Sequence, residues 1–308
     1  MEKSPSVIEI SGATPCSGKT QLLYHLITIA LLPPASNNIA LHGKGQAVVL
    51  FDLSGRISIL RLREHMLAFI ISKSTAPHTA LSELANASLI SDSLKHLHIF
   101  RPHSSSSFIA TLKTLPSYLL SSPSTHFSTN RALGLLAISD FTSFLWQDRQ
   151  EAEEAGLSAE NAVEKEQSDF LAQHYRDLVS SLRNLHDVFS CAIAATTWGL
   201  APVTPVAGQP AMRPHLPAAW NNFSTAKVVV ERERVSKFGP GMSVEEASAE
   251  KAQRWEAVGR SGFSGWVNWW GSDGWRDEVR EAVRMLNEGG AFSFRVAKGG
   301  LVLGDDDQ

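Results

Sequence analysis

The 308-residue sequence contains two cysteines, Cys16 and Cys191. Two thiols make neither a disulfide framework nor a zinc cluster, which points to a reducing compartment. The sequence also lacks an excess of positive charge, with 28 Lys and Arg against 31 Asp and Glu and a net charge of −3. A protein that grips nucleic acid mainly through phosphates carries a basic footprint. Any nucleic-acid role here is therefore local, shared with a partner, or indirect. Long apolar runs are missing too. The longest, Leu22 to Leu32, is broken by Tyr24, His25 and Thr28 and falls short of the ~20 residues that span a bilayer. Met1 to Ile10 has no apolar core of a secretory signal. These absences lead us to expect a soluble, intracellular protein of the cytosol or nucleus. There is no internal repeat. At 43% hydrophobic and 19% charged, the chain is near the globular norm, and wholesale disorder is excluded.

What is present is an alternation. Short, continuous apolar runs occur at Val7–Ile10, Ala47–Phe51, Leu97–Phe100, Leu133–Ile138 and Val188–Ala195. Such runs are the signature of strands buried on both faces. Between them lie segments with helical spacing: Gln21–Leu32, Leu60–Ile71, Phe108–Leu120 and Gln167–His186. Strand alternating with helix predicts an α/β fold with a mainly parallel sheet. Beyond residue 199 the texture changes. Gly199–Pro217, rich in Pro, Ala and Gly, reads as a loop, and Ala226–Val235 as a strand. Phe292–Val296 and Leu301–Leu303, joined through Lys298-Gly299-Gly300, read as a final hairpin. The acidic stretch Gln150–Asp169 reads as a solvated loop and helix face.

The stretch Ser11-Gly12-Ala13-Thr14-Pro15-Cys16-Ser17-Gly18-Lys19-Thr20 lies between a strand-like and a helix-like run, the context of a phosphate-binding P-loop. Backbone N–H groups of such a loop, with the field of the following helix, face the phosphates. Lys19 supplies a mobile cation, and Thr20 a hydroxyl for Mg²⁺. The strict pattern asks for glycine where Ala13 stands. Residues Ala13, Thr14, Pro15, Cys16, Ser17, Gly18, Lys19 and Thr20 are thus the candidate nucleotide cradle, with ATP and Mg²⁺ as ligands.

Hydrolysis requires more: an acid for Mg²⁺ at the end of a buried strand, and a group that orients water. After Leu133–Ile138 comes Ser139, and the acid, Asp140, is one place late. A one-residue shift on a strand reverses the face. Asp140 reaches the metal only if the strand has ended before it. Two readings stay open for it, metal ligand alongside Thr20 and turn-capping acid.

Several segments together resemble the RecA-type recombinase paralogues. They are Gly18 to Leu26; Val49-Leu50-Phe51-Asp52 with Leu60-Arg61-Leu62; Ser104 to Leu119; Leu133-Gly134-Leu135-Leu136 followed by Phe144-Leu145-Trp146-Gln147-Asp148-Arg149; Ala194-Ala195-Thr196-Thr197; and Arg213-Pro214-His215-Leu216 with Ala219-Trp220. The resemblance runs in order through residues 7–235 and takes in the final hairpin. It implies a single RecA-like P-loop domain, with 239–290 as a tryptophan-rich insertion and no separate N-terminal domain. It also implies a nuclear role in homologous-recombination repair of double-strand breaks, within a hetero-oligomer of recombinase paralogues. Without a segment before the first strand, the chain would be a terminal subunit, and single-stranded or branched DNA would be reached through the complex.

The departures from the family are in the hydrolytic apparatus. The water-positioning Glu of the active ATPases falls at Ser54, which cannot act as a carboxylate base. The γ-phosphate-sensing Gln falls at Trp198. The expectation is ATP binding with weak or absent hydrolysis, and no catalytic residue is assigned. An active P-loop ATPase or kinase, and a nucleotide-free scaffold, are the alternatives.

Other features have plainer readings. Trp255, Trp266, Trp269, Trp270 and Trp275 read as a small satellite core, with base stacking or partner binding as the alternative. His96, His98 and His103 lack convergent ligands and read as core or surface residues. Ser104–Ser107 reads as a helix N-cap.

Overall fold

The computed structural model describes residues 6–12, 14–74, 80–121, 126–157, 163–204, 211–233, 241–271, 275, 277–285, 290–297 and 300–303. Its centre is six parallel strands: β1 (Val7–Gly12), β4 (Ala47–Asp52), β5 (Leu97–Phe100), β6 (Leu133–Ser139), β7 (Ala192–Trp198) and β10 (Ala226–Arg232), with a separate short antiparallel pair of β2 (Ala35–Ser36) and β3 (Ile39–Ala40). Antiparallel β11 (Phe263–Val267), β12 (Phe292–Ala297) and β13 (Gly300–Leu303) extend it to nine strands in the order β13-β12-β11-β10-β1-β7-β6-β4-β5. This is the RecA-like α/β arrangement that the sequence led us to expect.

Helices cover both faces. On one face α1 (Lys19–Leu31), α2 (Ile59–Lys73) and α3 (Ala80–Leu94) bury Leu23, Ile27, Leu62, Met66 and Ile90 against Val48, Leu50 and Ala137. On the other, α4 (Ser105–Leu119), α5 (Leu145–Leu157), α6 (Val163–Phe189) and α7 (Ala218–Asn221) bury Phe108, Leu112, Leu182 and Trp220 against Val49, Phe51, Leu136 and Ile138. Alternate residues of β4 and β6 therefore serve opposite cores, which is why these strands read as unbroken apolar runs. Ser104 caps α4 by accepting the Ser107 N–H at 3.1 Å, as its sequence position suggested.

Three segments differ from expectation. Val188 lies in α6, and the strand starts at Ala192. The helix closes through Ser190 at φ 48° and a 2.9 Å bond between His186 Nδ1 and the Cys191 carbonyl, and Val188 faces solvent. The expected loop Gly199–Pro217 carries a small antiparallel pair, β8 (Leu200–Pro202) with β9 (Met212–Pro214), while its residues 205–210 lie outside the described set. Segment 239–290, expected as an insertion, supplies β11, which joins the outer antiparallel strands to β10. Ser264 and Gly265 interrupt the apolar pattern of that strand, so the sequence carries no clear strand signal there. The rest of the segment contains α8 (Val244–Ala249), α9 (Lys251–Arg260) and α10 (Asp277–Arg284). A satellite core of Val267, Trp275 and Val283 with Trp269 and Val279 is present, whereas Trp255 is exposed on α9.

The histidines of β5 form a buried polar network at that edge of the sheet. His98 contacts the Tyr118 hydroxyl at 2.9 Å and Ser128 Oγ at 2.8 Å, and His96 meets the same Ser128 at 3.1 Å. Among the described residues no group of three or more His, Cys, Asp or Glu could hold a metal. Burial, with His126 and His96 adding to it, pushes His98 from an ordinary 6.5 to about 4. Its neutral form is thus favoured in the folded state, and the unfolded chain binds the extra proton first. Stability from this site is complete above about pH 6.5 and is lost as pH falls toward 4. Denaturant titrations at stepped pH should show a loss on the order of 1–3 kcal/mol over that window, and replacing His98 with Asn should flatten it. An unchanged pH profile in that variant would refute the assignment.

Candidate nucleotide site

The loop between β1 and α1 is shaped by two close approaches. A Cβ on Gly12 would lie 2.2 Å from Ser17 Oγ and 3.0 Å from Lys19 Nζ, so the chain turns back on itself only with glycine there. Gly18 has φ 92°, and a Cβ on it would lie 2.7 Å from the Phe294 ring and 2.9 Å from the Phe263 ring. Those two rings are stacked with centroids 5.0 Å apart. The P-loop is therefore seated against the antiparallel extension as well as on its own helix. Cys16 adopts φ 56°, a left-handed conformation that side chains seldom accept.

Gly18 is also the N-cap of α1 and offers no side-chain cap. The Gln21 N–H closes the first turn on the Gly18 carbonyl at 3.0 Å, and Lys19 and Thr20 at the positive dipole end of this helix line the cavity. Lys19 Nζ donates to Ser17 Oγ at 3.2 Å. Burial pushes its ammonium below the ordinary lysine range, while the Asp140 carboxylate acts in the opposite sense.

Asp140 is held in a turn and lines the cavity. Strand β6 ends at Ser139, and Asp140 follows at φ 59°. Its N–H donates to Thr196 Oγ1 at 2.8 Å, and its carboxylate accepts the Thr142 hydroxyl at 2.8 Å. It is a turn residue, yet the turn aims it into the cavity. That cavity, of about 430 Å³, is lined by Thr14–Cys16, Lys19, Thr20, Ser54, Arg56, Ser139, Asp140, Thr196 and Trp198. A hydroxyl and a carboxylate beside a cationic loop are the donor set that suits a phosphate-bound Mg²⁺, and the cradle fits a nucleotide polyphosphate. Ala13 lies outside the described residues.

Ser54 and Trp198 line this same cavity, so the positions marked by the resemblance do converge on it. Neither carries a carboxylate or amide. Asp52, two residues before Ser54, is buried and points away into structure. It accepts the N–H groups of Arg56 at 3.1 Å and Ile57 at 3.3 Å, and Arg101 Nε at 3.1 Å.

A second cavity, of about 550 Å³, flanks the other side of the loop. Its wall includes Tyr24, Arg56, Arg61, Arg232, Ser261 and Phe263. The Arg232 guanidinium lies over Phe263 at 5.5 Å and donates to Ser261 Oγ at 3.0 Å. Arg56 and Arg61 come from one segment and Arg232 from another, and the two meet only in the fold.

No family model matches the chain. The DNA repair protein XRCC2 homolog of Arabidopsis thaliana is 24% identical over 271 residues, covering 75% of this chain and 70% of that protein. This similarity bears out the resemblance to the recombinase paralogues.

Changing Gly18 to Ala should lower the melting temperature and abolish nucleotide binding together. The strain and the clash with Phe263 and Phe294 cost on the order of 1–3 kcal/mol. Thr20→Ala should lower Mg²⁺-dependent affinity and leave the melt unchanged. Calorimetric melts with nucleotide titration distinguish the two outcomes.

Proposed function

We propose that the chain is an ATP-binding RecA-type recombinase paralogue that serves homologous-recombination repair of double-strand breaks in the nucleus. What supports this most is the convergence of Lys19, Thr20 and Asp140 with Ser54 and Trp198 around one cavity: a complete cradle with the water-orienting chemistry missing. The backbone from Ala13 to Thr20 and the Lys19 ammonium hold the phosphates. Thr20 and Asp140 hold Mg²⁺, which when bound neutralises phosphate charge. The arginine-lined cavity on the other side of the loop receives the nucleoside. Hydrolysis is weak or absent, because no carboxylate stands at Ser54 to position water and no amide at Trp198 to sense the γ-phosphate.

ATP then acts as a structural ligand. Binding to the folded state alone adds stability by mass action, and it fixes the loop that carries Cys16 in its uncommon conformation. The relative's name as a DNA repair protein, with the motif order, supports work inside a hetero-oligomer of recombinase paralogues. The net charge of −3 suits a subunit whose companions carry most phosphate contacts.

Titration calorimetry with ATP and Mg²⁺ should show binding that weakens at least tenfold in Lys19→Ala, with turnover near background with and without DNA. Robust DNA-stimulated turnover that disappears in Lys19→Ala would make the chain an active ATPase instead. No binding at millimolar ATP would make it a nucleotide-free scaffold. Affinity purification from cells should recover other recombinase paralogues, and their consistent absence would overturn the assembly.

A further inference from the structure

Four described residues line both the 430 Å³ cavity and the 550 Å³ cavity: Cys16, Lys19, Thr20 and Arg56. The first three belong to the P-loop and the start of α1. Arg56 alone comes from elsewhere, the turn between β4 and α2. A ligand that reaches from one cavity into the other therefore passes along both Lys19 and Arg56. The turn is preset. Gly55 has φ 66°, and the buried Asp52 carboxylate accepts the Arg56 N–H at 3.1 Å and the Ile57 N–H at 3.3 Å. Arg101 Nε donates to that same carboxylate at 3.1 Å, so the charge of Asp52 is already matched. The Arg56 side chain is left over: among the described residues it forms no ion pair. Asp140 is the one acid that lines either cavity among the described residues.

A guanidinium is permanently charged and presents its donors in a planar fork that matches phosphate oxygens two at a time. With its backbone already fixed, closing it over a phosphate costs little more than side-chain freedom. We propose that Arg56 is a polyphosphate clamp, which closes over the phosphates of the bound nucleotide together with Lys19 and slows their release. The family resemblance rests on Val49–Asp52 and Leu60–Leu62, on either side of this turn, and assigns Arg56 nothing. The inference deepens the nucleotide reading proposed above and rests on it. It also gives the site a specificity. A clamp on the chain of phosphates favours ATP and ADP over AMP, whose single phosphate leaves no chain to span the two cavities. Arg56 carries charge and no base, so it retains the triphosphate without activating water. A cation that only steered the ligand would raise the rate of association, whereas a contact made in the complex lowers the rate of dissociation.

Stopped-flow fluorescence with the full chain, Mg²⁺ and N-methylanthraniloyl ATP, chased with unlabelled ATP, should show release about tenfold faster in Arg56→Ala. Association should change by less than about twofold. Calorimetry should show the matching loss for ATP and ADP, while AMP binds weakly and alike in both proteins. Arg63→Ala removes a nearby exposed cation that lines the α2–α3 groove instead, and it should match the wild type throughout. Melts without nucleotide should coincide in all three proteins, since both arginines are exposed. Release at the wild-type rate in Arg56→Ala, a loss confined to association, an equal loss for AMP, or an equal loss in Arg63→Ala would each overturn the clamp while leaving the nucleotide site in place. No binding of ATP to the wild type would overturn the nucleotide reading itself, and the clamp with it.

Discussion

Glu9 lies at the middle of the sheet with no solvent exposure, and a buried carboxylate persists only if its oxygens are satisfied. Its Oε1 accepts from Ser11 Oγ at 3.2 Å and Thr197 Oγ1 at 2.9 Å, its Oε2 accepts from Ser224 Oγ at 3.4 Å, and Ser11 and Thr197 share a 2.7 Å contact. Its register partner on β10 is Lys227. These bonds clamp β1 to β7 one residue before Gly12 on one strand and Trp198 on the other. The entry to the P-loop and the wall of the phosphate cavity are thereby fixed to one another. On the other side the same arrangement sets the depth of Lys227, whose ammonium is pushed down by burial and raised by Glu9.

The second constraint is steric. Gly18 begins α1 directly beneath the Phe263–Phe294 stack, so the antiparallel strands are part of the seat of this loop and not an appendage to it. Strand β11 makes this possible. It pairs with β10 from Val228–Val267 to Arg232–Phe263, and that pairing delivers Phe263, Ser261 and Arg232 to the edge of the loop. The apparent loss at Ser54 and Trp198 leaves the fold intact, because neither residue carries the packing around it: Trp198 is 50% exposed, and the turn at Ser54 is held by Asp52.

The parallel half of the fold was legible because its strands are buried on both faces and its helices keep one apolar stripe. Both patterns are local and periodic. The P-loop was legible for a similar reason, since its glycines, Lys19 and Thr20 act within ten residues of each other. Strand β11 was not, because a glycine and two half-buried residues in its five positions erase the pattern. Helix α3 was missed too; its small and polar residues give a weak periodicity.

The sequence by itself determined that there is a P-loop and that the sheet is mainly parallel, which follow from residue identity and short-range spacing; that Ser54 stands where water would be oriented is what the family resemblance implies. Only the tertiary structure decided where Asp140 points, since that depended on β6 ending one residue earlier and on a left-handed turn held by Thr196. Only it brought Arg232 to the Arg56–Arg61 segment beside the loop, and gathered Arg149, Arg213, Lys227, Trp269 and Trp270 around a separate cavity. Residues so distant along the chain have no local signal in common. The order of strands in the sheet brings them together, and that order is set by which faces must be buried and which strand edges must be paired.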